Sequence, residues 1–276
     1  MQKYVRRLPS LKISPYFIIF AYWFLIPGIA VELFPGCGSR LAKLRPATPP
    51  QEKFDQAKAL FDKKKYFPAI EAFKSFIFEH PGTEMIDRAI YYLAESYYFT
   101  KDYLLAENEY RNLLRDFPYP RSLFSIETQF KLGLAIYKQS LPAELDQAKT
   151  QEAEAEFHSF VETYPDHPLA SKAQTMIEDC KSKLATKDLK NGLLYFRMHD
   201  YSAALLYFED VIENFPESKI SLEAQYFKGF CFFQQKRWGD ARTVFLNLKS
   251  QDYNRLGNYK NKIEEFLFTL QKKQIE

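Results

Sequence analysis

The sequence has few cysteines and glycines, and it lacks the motifs that mark common enzymes. It contains three cysteines and nine glycines in 276 residues. No stretch matches GxSxG, HExxH, a phosphate-binding glycine loop or a CxxC pair. The four histidines are spaced too irregularly for a metal site, and we interpret them as turn and surface residues. These absences predict a binding protein without a metal or cofactor, not an enzyme.

Strand patterns and a disulfide framework are also missing. No run alternates apolar and polar residues for long enough to predict a strand. The chain is instead rich in rings, with 26 phenylalanines and 19 tyrosines. Cys180 and Cys231 show no framework spacing, so we expect buried or free thiols. This composition predicts an all-α fold.

A short pattern of small and aromatic residues recurs five times. In every copy an alanine is followed four residues later by a ring: Ala69/Phe73, Ala106/Tyr110, Ala153/Phe157, Ala204/Phe208 and Ala241/Phe245. In four copies a second small residue comes twelve residues before that alanine: Ala57, Ala94, Gly192 and Gly229. Small residues let two helices approach closely, and a proline eight residues after the ring ends four of the copies. The pattern predicts a tetratricopeptide-repeat solenoid of five helix–turn–helix repeats.

The spacing of the copies predicts two departures from a regular array. Gly133 and Ala153 are 20 residues apart where the other copies have 12, so 140–150 should include an inserted loop. The repeat alanines Ala153 and Ala204 are 51 residues apart, which is 14 more than the 37 residues between Ala69 and Ala106. Fourteen residues make about four helical turns. A single long helix from about Leu169 to Met198 is therefore expected to link the third and fourth repeats.

The end of the chain predicts a capping helix from about Leu256 to Lys273. Phe266, Phe268 and Leu270 are its expected inward side chains. The predicted organisation is a signal peptide at 1–36, a flexible tether at 37–50, front repeats one to three with the long linking helix at 51–184, and back repeats four and five with the capping helix at 185–276.

The first 36 residues have the features of an export signal. A basic start is followed by the uncharged apolar run Ile13–Val31 and then by Cys37. A cysteine after a small residue resembles the lipobox of bacterial lipoproteins, so Cys37 is the expected lipidation site for a palmitate-type anchor. Phe34 and Pro35 depart from the usual lipobox residues. The alternative is that the apolar run remains as an uncleaved membrane anchor.

The charge of the chain does not favour nucleic acid. The net charge of +3 depends on the leader, which contains four basic residues and one acidic residue, so the remainder is neutral. A neutral chain without a basic patch lacks the clustered cations that neutralise the phosphates of nucleic acid. Glu152, Glu154 and Glu156 are expected to form a solvated helix face.

Four segments together resemble the BamD family of outer-membrane lipoproteins. They are Ala89-Ile-Tyr-Tyr-Leu-Ala-Glu-Ser-Tyr97, Glu144-Leu-Asp-Gln147 with Thr150, Phe157-x-x-Phe-Val-x-x-Tyr-Pro165 and Leu194-Tyr-Phe-Arg-x-x-x-Tyr201. The resemblance implies a lipid-anchored scaffold of the β-barrel assembly machinery on the periplasmic face of the outer membrane. Its implied partners are the barrel-forming subunit, other assembly lipoproteins and unfolded outer-membrane proteins. The front repeats would receive the terminal signal of the unfolded protein, and the back repeats would dock on the barrel-forming subunit.

Candidate peptide-binding residues follow from the repeat geometry. The first helices of stacked repeats line the inner surface of a solenoid. Positions three before and four after the small residue of copies two and three should face that groove: Tyr91, Tyr98, Phe130 and Tyr137. Rings suit apolar peptide ends, although rings at this spacing are also typical of a core. The alternative function is that of another envelope tetratricopeptide scaffold, such as a secretion pilot or a cell-wall synthesis coordinator.

Overall fold

The computed structural model describes residues 49–216, 218–250, 257 and 259–273, and every regular element within them is a helix. The helices are α1 Pro50–Asp62, α2 Tyr66–Glu79, α3 Ile86–Phe99, α4 Tyr103–Asp116, α5 Phe124–Gln139, α6 Ala148–Thr163, α7 Ala170–Arg197, α8 Tyr201–Asn214, α9 Lys219–Gln234, α10 Trp238–Ser250 and α11 Tyr259–Lys273. The predicted all-α fold is confirmed.

The ten helices from α1 to α10 form five antiparallel pairs, and α11 follows the last pair. Each helix packs against the helix before it and the helix after it. The first helices of neighbouring repeats also meet, since α1 contacts α3, α3 contacts α5 and α7 contacts α9. This stacking is the predicted solenoid of five repeats with a capping helix.

Within a repeat, the two helices meet where a small residue faces a ring. The repeat alanines are all fully buried, and so are Ala57 and Ala94. In the other three repeats a glycine occupies the small position, and an added Cβ would lie far too close to the ring: 2.7 Å for Gly133 and Phe157, 2.5 Å for Gly192 and Phe208, and 2.8 Å for Gly229 and Phe245. The predicted close approach of the paired helices is therefore confirmed.

The long linking helix is α7, which has 28 residues. Most buried residues of the front repeats form one apolar core that ends at Cys180. Those of the back repeats form a second core that starts at Ala185. Both described cysteines are free and buried, and burial raises the pKa of the Cys180 and Cys231 thiols to about 12.

The capping helix differs from its prediction in one residue. Leu270 is fully buried, and the ring of Phe266 stacks on that of Phe245 with centroids 5.4 Å apart. Phe268, however, is 61% exposed, so its predicted inward position is wrong. It follows Phe266 by two residues, which is about 200° around a helix. Ile263, which was not among the predicted inward residues, is fully buried in the back core.

The inserted loop between α5 and α6 has a defined shape. The side-chain amide of Gln147 is buried and donates a hydrogen bond of 2.7 Å to the carbonyl oxygen of Pro142. The Thr150 hydroxyl donates to the Gln147 amide oxygen at 2.7 Å. Glu144 forms an ion pair with Lys190, which fixes the loop to α7. The insertion thus joins the third repeat to the long helix.

A buried carboxylate connects the second and third repeats. Glu107 on α4 accepts hydrogen bonds from Gln139 Nε2 at 2.7 Å and from Lys149 Nζ at 3.1 Å. Arg111 bridges from Glu107, at 3.2 Å, to Glu152, at 2.7 Å. The prediction of a solvated acidic face on α6 is therefore correct only in part, because Arg111 of α4 pairs with Glu152 and Glu156 and all three glutamates are partly buried.

We expect overpacking at the repeat alanines to destabilise the fold. Ala106→Leu and Ala204→Leu should each lower the free energy of unfolding by about 1–3 kcal/mol, because the added atoms have no space between the paired helices. Ala153→Leu should do the same. Ala155→Leu, at an exposed position of α6, is the matched control. Thermal melts check this, and equal stability of all four variants would contradict the packing described above.

Replacing Glu107 tests the buried carboxylate. Partial burial opposes its ionisation, but hydrogen bonds from Gln139, Lys149 and Arg111 outweigh that and lower the pKa of Glu107. The carboxylate therefore stabilises the fold above the unfolded-state pKa of 4.5, and this contribution disappears as the pH falls through the folded-state pKa. Glu107→Ala should cost about 2 kcal/mol at neutral pH.

Denaturant unfolding of the wild type and Glu107→Ala, measured at several pH values, checks this prediction. The difference in free energy of unfolding should shrink below about pH 4. Glu107→Gln, which keeps the shape of the side chain but not its charge, should show a smaller and less pH-dependent loss. A difference that is constant between pH 7 and pH 3 would rule out the ionised carboxylate as its cause.

Candidate peptide-binding groove

The inner face of the front repeats is built from α1, α3 and α5, and it continues onto the first half of α7. Helical periodicity aims the residues three before and four after each small residue toward this face. Of the four predicted groove residues, Tyr91 and Phe130 are buried. Tyr98 and Tyr137 are half-buried and keep part of their rings at the surface.

Tyr91 and Phe130 belong mainly to the core. The ring of Tyr91 lies 4.9 Å from that of Phe124, centroid to centroid. The ring of Phe130 lies 5.7 Å from Phe157 and 5.8 Å from Phe160. Little of either ring is left for a ligand, and binding by the four predicted rings stays a prediction.

Tyr98 and Tyr137 each lie beside a lysine of the next inner helix. Lys131 Nζ on α5 is 5.9 Å from the ring centroid of Tyr98, and Lys183 Nζ on α7 is 5.6 Å from that of Tyr137. Burial raises the pKa of both phenols, so each ring remains neutral at physiological pH. The groove therefore alternates neutral rings with cations.

A buried carboxylate sets the position of the first of these lysines. Glu95 is buried on α3 and accepts a hydrogen bond of 2.8 Å from Lys131 Nζ on α5. Its other oxygen accepts from the hydroxyl of Tyr110, a repeat ring on α4. Glu95 thereby links the core of the second repeat to the groove. Sequence reasoning missed this role, since the partner lysine is 36 residues away.

A cleft of about 540 Å³ separates α5 from α7 on the inner face. Its lining residues are Glu127, Phe130, Lys131, Leu134, Leu169, Lys172, Thr175 and Met176. The apolar members form most of the wall, and a lysine stands on each helix. Within the described residues Lys172 has no carboxylate partner. A cleft of this size and chemistry can hold an apolar side chain next to a negative charge.

Only part of this cleft could have been found from the sequence. Phe130 was predicted to face the groove, whereas Leu134, Lys172 and Met176 were not singled out. Lys172 and Met176 are four residues apart and therefore share one face of α7. That spacing is a signal, but it does not reveal that α5 lies opposite.

A second cleft, of about 490 Å³, lies between α4, α5 and α6 and is a weaker candidate. Its charged lining residues already have partners in the protein. Arg115 pairs with Asp116 at 2.8 Å, and Arg111 pairs with Glu152 at 2.7 Å. Burial raises the pKa of Glu156, another lining residue. A ligand would have to displace these pairs.

The described residues include neither a candidate metal cluster nor a candidate membrane span. They contain no group of three or more histidine, cysteine, aspartate or glutamate side chains arranged to hold a metal ion. No helix in the same part of the chain has the length and apolar character required to cross a membrane. The predicted lipidation site, Cys37, lies outside the described residues.

Comparisons with known proteins extend what the geometry shows. Residues 46–229 match the model of the YfiO family, described as an outer membrane lipoprotein. The outer membrane protein assembly factor BamD of Rickettsia prowazekii (strain Madrid E) is 27% identical over 194 residues, or 69% of this chain and 75% of that protein. BamD of Caulobacter vibrioides is 24% identical over 164 residues, or 59% of this chain and 53% of that protein.

A likeness to solved structures is weaker. The tetratricopeptide domain of P58(IPK) has a TM-score of 0.39 and 16% identity, over 83% of this chain and 57% of that domain. A superposition of that quality has no functional meaning. The family match, in contrast, spans well over half of the sequence and agrees with the family predicted from the motifs. This chain belongs to the YfiO family of outer membrane lipoproteins.

Proposed function

We propose that this protein is a lipid-anchored periplasmic scaffold of the β-barrel assembly machinery, acting at the outer membrane. The observation that supports a receptor role is the cleft between α5 and α7, with Tyr98 beside its Lys131 and Tyr137 one helical turn after its Leu134. Two relatives are named outer membrane protein assembly factors. The substrates proposed here are unfolded outer-membrane proteins.

The cleft suits one end of an extended peptide. Leu134, Leu169 and Met176 are only partly buried and offer apolar surface for a ring or aliphatic side chain. Lys172 on α7 has no carboxylate partner in the described residues and can attract a carboxylate, whereas Lys131 on α5 is already paired with Glu95. A terminal residue with an apolar side chain and a free carboxylate satisfies both properties at once. We therefore propose that the front repeats bind the carboxyl-terminal signal of a barrel protein.

The back repeats are proposed to dock on the barrel-forming subunit. They have a separate apolar core, so their outer surface can serve a second partner while the front groove binds peptide. Exposed apolar residues on that surface include Leu206 on α8 and Phe268 on α11. The other assembly lipoproteins are further partners in this proposal.

Removing the two groove rings should weaken peptide binding alone. In the full chain, Tyr98→Ala with Tyr137→Ala should reduce affinity for a peptide copying the terminal strand of a barrel protein. Each ring lost from a desolvated contact costs on the order of 2 kcal/mol. Fluorescence anisotropy measures the affinity. Copurification with the barrel-forming subunit should be unchanged, because that contact is assigned to the back repeats.

The matched control is Phe78→Ala with Tyr207→Ala, which removes two rings outside the groove. A second arm uses the same peptide with its terminal carboxylate converted to a carboxamide, which should bind the wild type more weakly. Equal affinity of the groove variant and the control variant would refute the groove. Equal affinity of the acid and the amide would refute the proposed contact with Lys172.

The anchor can be tested at Cys37. Cys37→Ala should abolish incorporation of a labelled lipid precursor and leave an uncleaved precursor, because the thiol is the proposed acceptor. Mass spectrometry of the membrane fraction measures both effects. Cys180→Ala is the control, since that thiol is buried in the front core and cannot accept a lipid without unfolding. An unchanged mass and unchanged labelling of the Cys37 variant would favour the uncleaved anchor.

A further inference from the structure

One edge of the first two repeats exposes lysines and rings that the groove does not use. The α1–α2 turn contains Lys63, Lys64 and Lys65, and the α3–α4 turn contains Lys101. All four side chains are exposed, and none has a carboxylate partner among the described residues. We call these four lysines with Phe67 and Phe99 the lysine–phenylalanine edge.

The two turns of this edge are neighbours in space. A shallow cavity of about 410 Å³ lies between them, and its lining includes Lys64, Lys65, Tyr66, Phe67, Phe99 and Lys101. The rings of Tyr66 and Phe99 stack across the two turns with centroids 4.8 Å apart. The cavity therefore has an aromatic wall and a cationic rim, so the expectation that the chain lacks a basic patch is wrong at this edge.

Its rings are unusually exposed for phenylalanines. Phe67 is 70% exposed and Phe99 is 46% exposed. Neither exposure is required by the repeat, because the buried ring of the first repeat is Phe73. Apolar rings held at the surface beside unpaired cations indicate an interaction site.

The lysines themselves have a partial local explanation. Lys64 and Lys101 adopt left-handed backbone conformations with φ of 57° and 69°, at the ends of α1 and α3. A cation at the carboxyl end of a helix is favoured by the helix dipole. That effect accounts for Lys64 and Lys101 and equally for Lys63, which caps the carboxyl end of α1, but it does not account for Lys65, at the amino end of α2, or for the exposed rings.

We propose that the lysine–phenylalanine edge binds the surface of an anionic phospholipid membrane. Lysines attract acidic headgroups, and exposed rings enter the boundary between headgroups and acyl chains. Protein interfaces, in contrast, are enriched in arginine and depleted of lysine. The edge has four lysines and no arginine, so lipid is the better match in chemistry.

The distance along the chain from Cys37 to the edge is short enough for the edge to reach a membrane. This argument rests on the proposed lipidation of Cys37. The roughly twelve residues between Cys37 and Pro49 can extend at most about 40 Å. Helix α1 has 13 residues and is about 20 Å long. The turn at its far end can therefore reach the membrane that holds the anchor. Lipid contact there would fix the orientation of the front repeats relative to that membrane.

Lysine reactivity in lipid nanodiscs tests the proposal with the full chain. The protein is placed in discs of pure phosphatidylcholine or of phosphatidylcholine mixed with phosphatidylglycerol. An amine-reactive reagent then labels it, and mass spectrometry follows each lysine. In the anionic discs, labelling of Lys64, Lys65 and Lys101 should slow by about fivefold. High salt, near 1 M, should restore it, because the screening length falls to about 3 Å.

Three other lysines give the internal control. Lys138, Lys181 and Lys219 are also exposed and lack a carboxylate partner in the described part of the chain. Their labelling should not depend on the lipid. Phe67→Ser with Phe99→Ser should weaken the protection at the edge, while the melting temperature of this variant shows that the fold is retained.

The possible outcomes are distinct. Equal labelling of the edge in neutral and anionic discs overturns the proposal. Protection that appears only when the barrel-forming subunit is added also overturns it, and would assign the edge to a protein partner. Co-sedimentation with the discs reports membrane attachment separately. The experiment measures no assembly activity, so its result can be interpreted even if the proposed assembly function is wrong.

Discussion

The close approach of two helices at a small residue is the contact on which the rest of the fold depends. At Gly192, Gly229 and Gly133 there is no room even for a Cβ, since the facing ring would lie within 3 Å of it. The ring fills the gap and is fully buried in every repeat. Since no repeat covers its own apolar face, each one packs on the next, and the inner surface consists of first helices.

This contact also explains why some of the predicted groove residues are buried while others are partly exposed. The residue three before the glycine lies under the ring of its own repeat, as Phe130 does under Phe157. The residue four after the glycine lies beyond that ring, and Tyr137 therefore keeps part of its surface. Sequence spacing identifies both positions as inward. It does not distinguish a residue buried between helices from one that faces the groove.

The repeats, their number and the long helix could be predicted because they depend on local spacing and on proline. Other features depend on residues that are distant in sequence. Glu152 accepts from Arg111, 41 residues away, so a helix face with three glutamates appeared fully solvated. The turn residues Lys64, Lys101, His199 and Lys236 have positive φ without being glycine, and no composition rule indicates them. Phe268 was misplaced because its apolar character was given more weight than its helical phase.

Helix α7 determines how the two halves relate. Its buried residues change from the front core to the back core between Cys180 and Ala185, about one turn of the same helix. Near this point the inserted loop is fixed to α7 through Lys183 and Ser140 at 2.7 Å and through Lys190 and Glu144. A continuous helix that is held by these contacts fixes the orientation of the two halves relative to each other better than a loop would. The groove and the back surface are therefore held at a fixed relative angle, which is the property that the proposed scaffold requires.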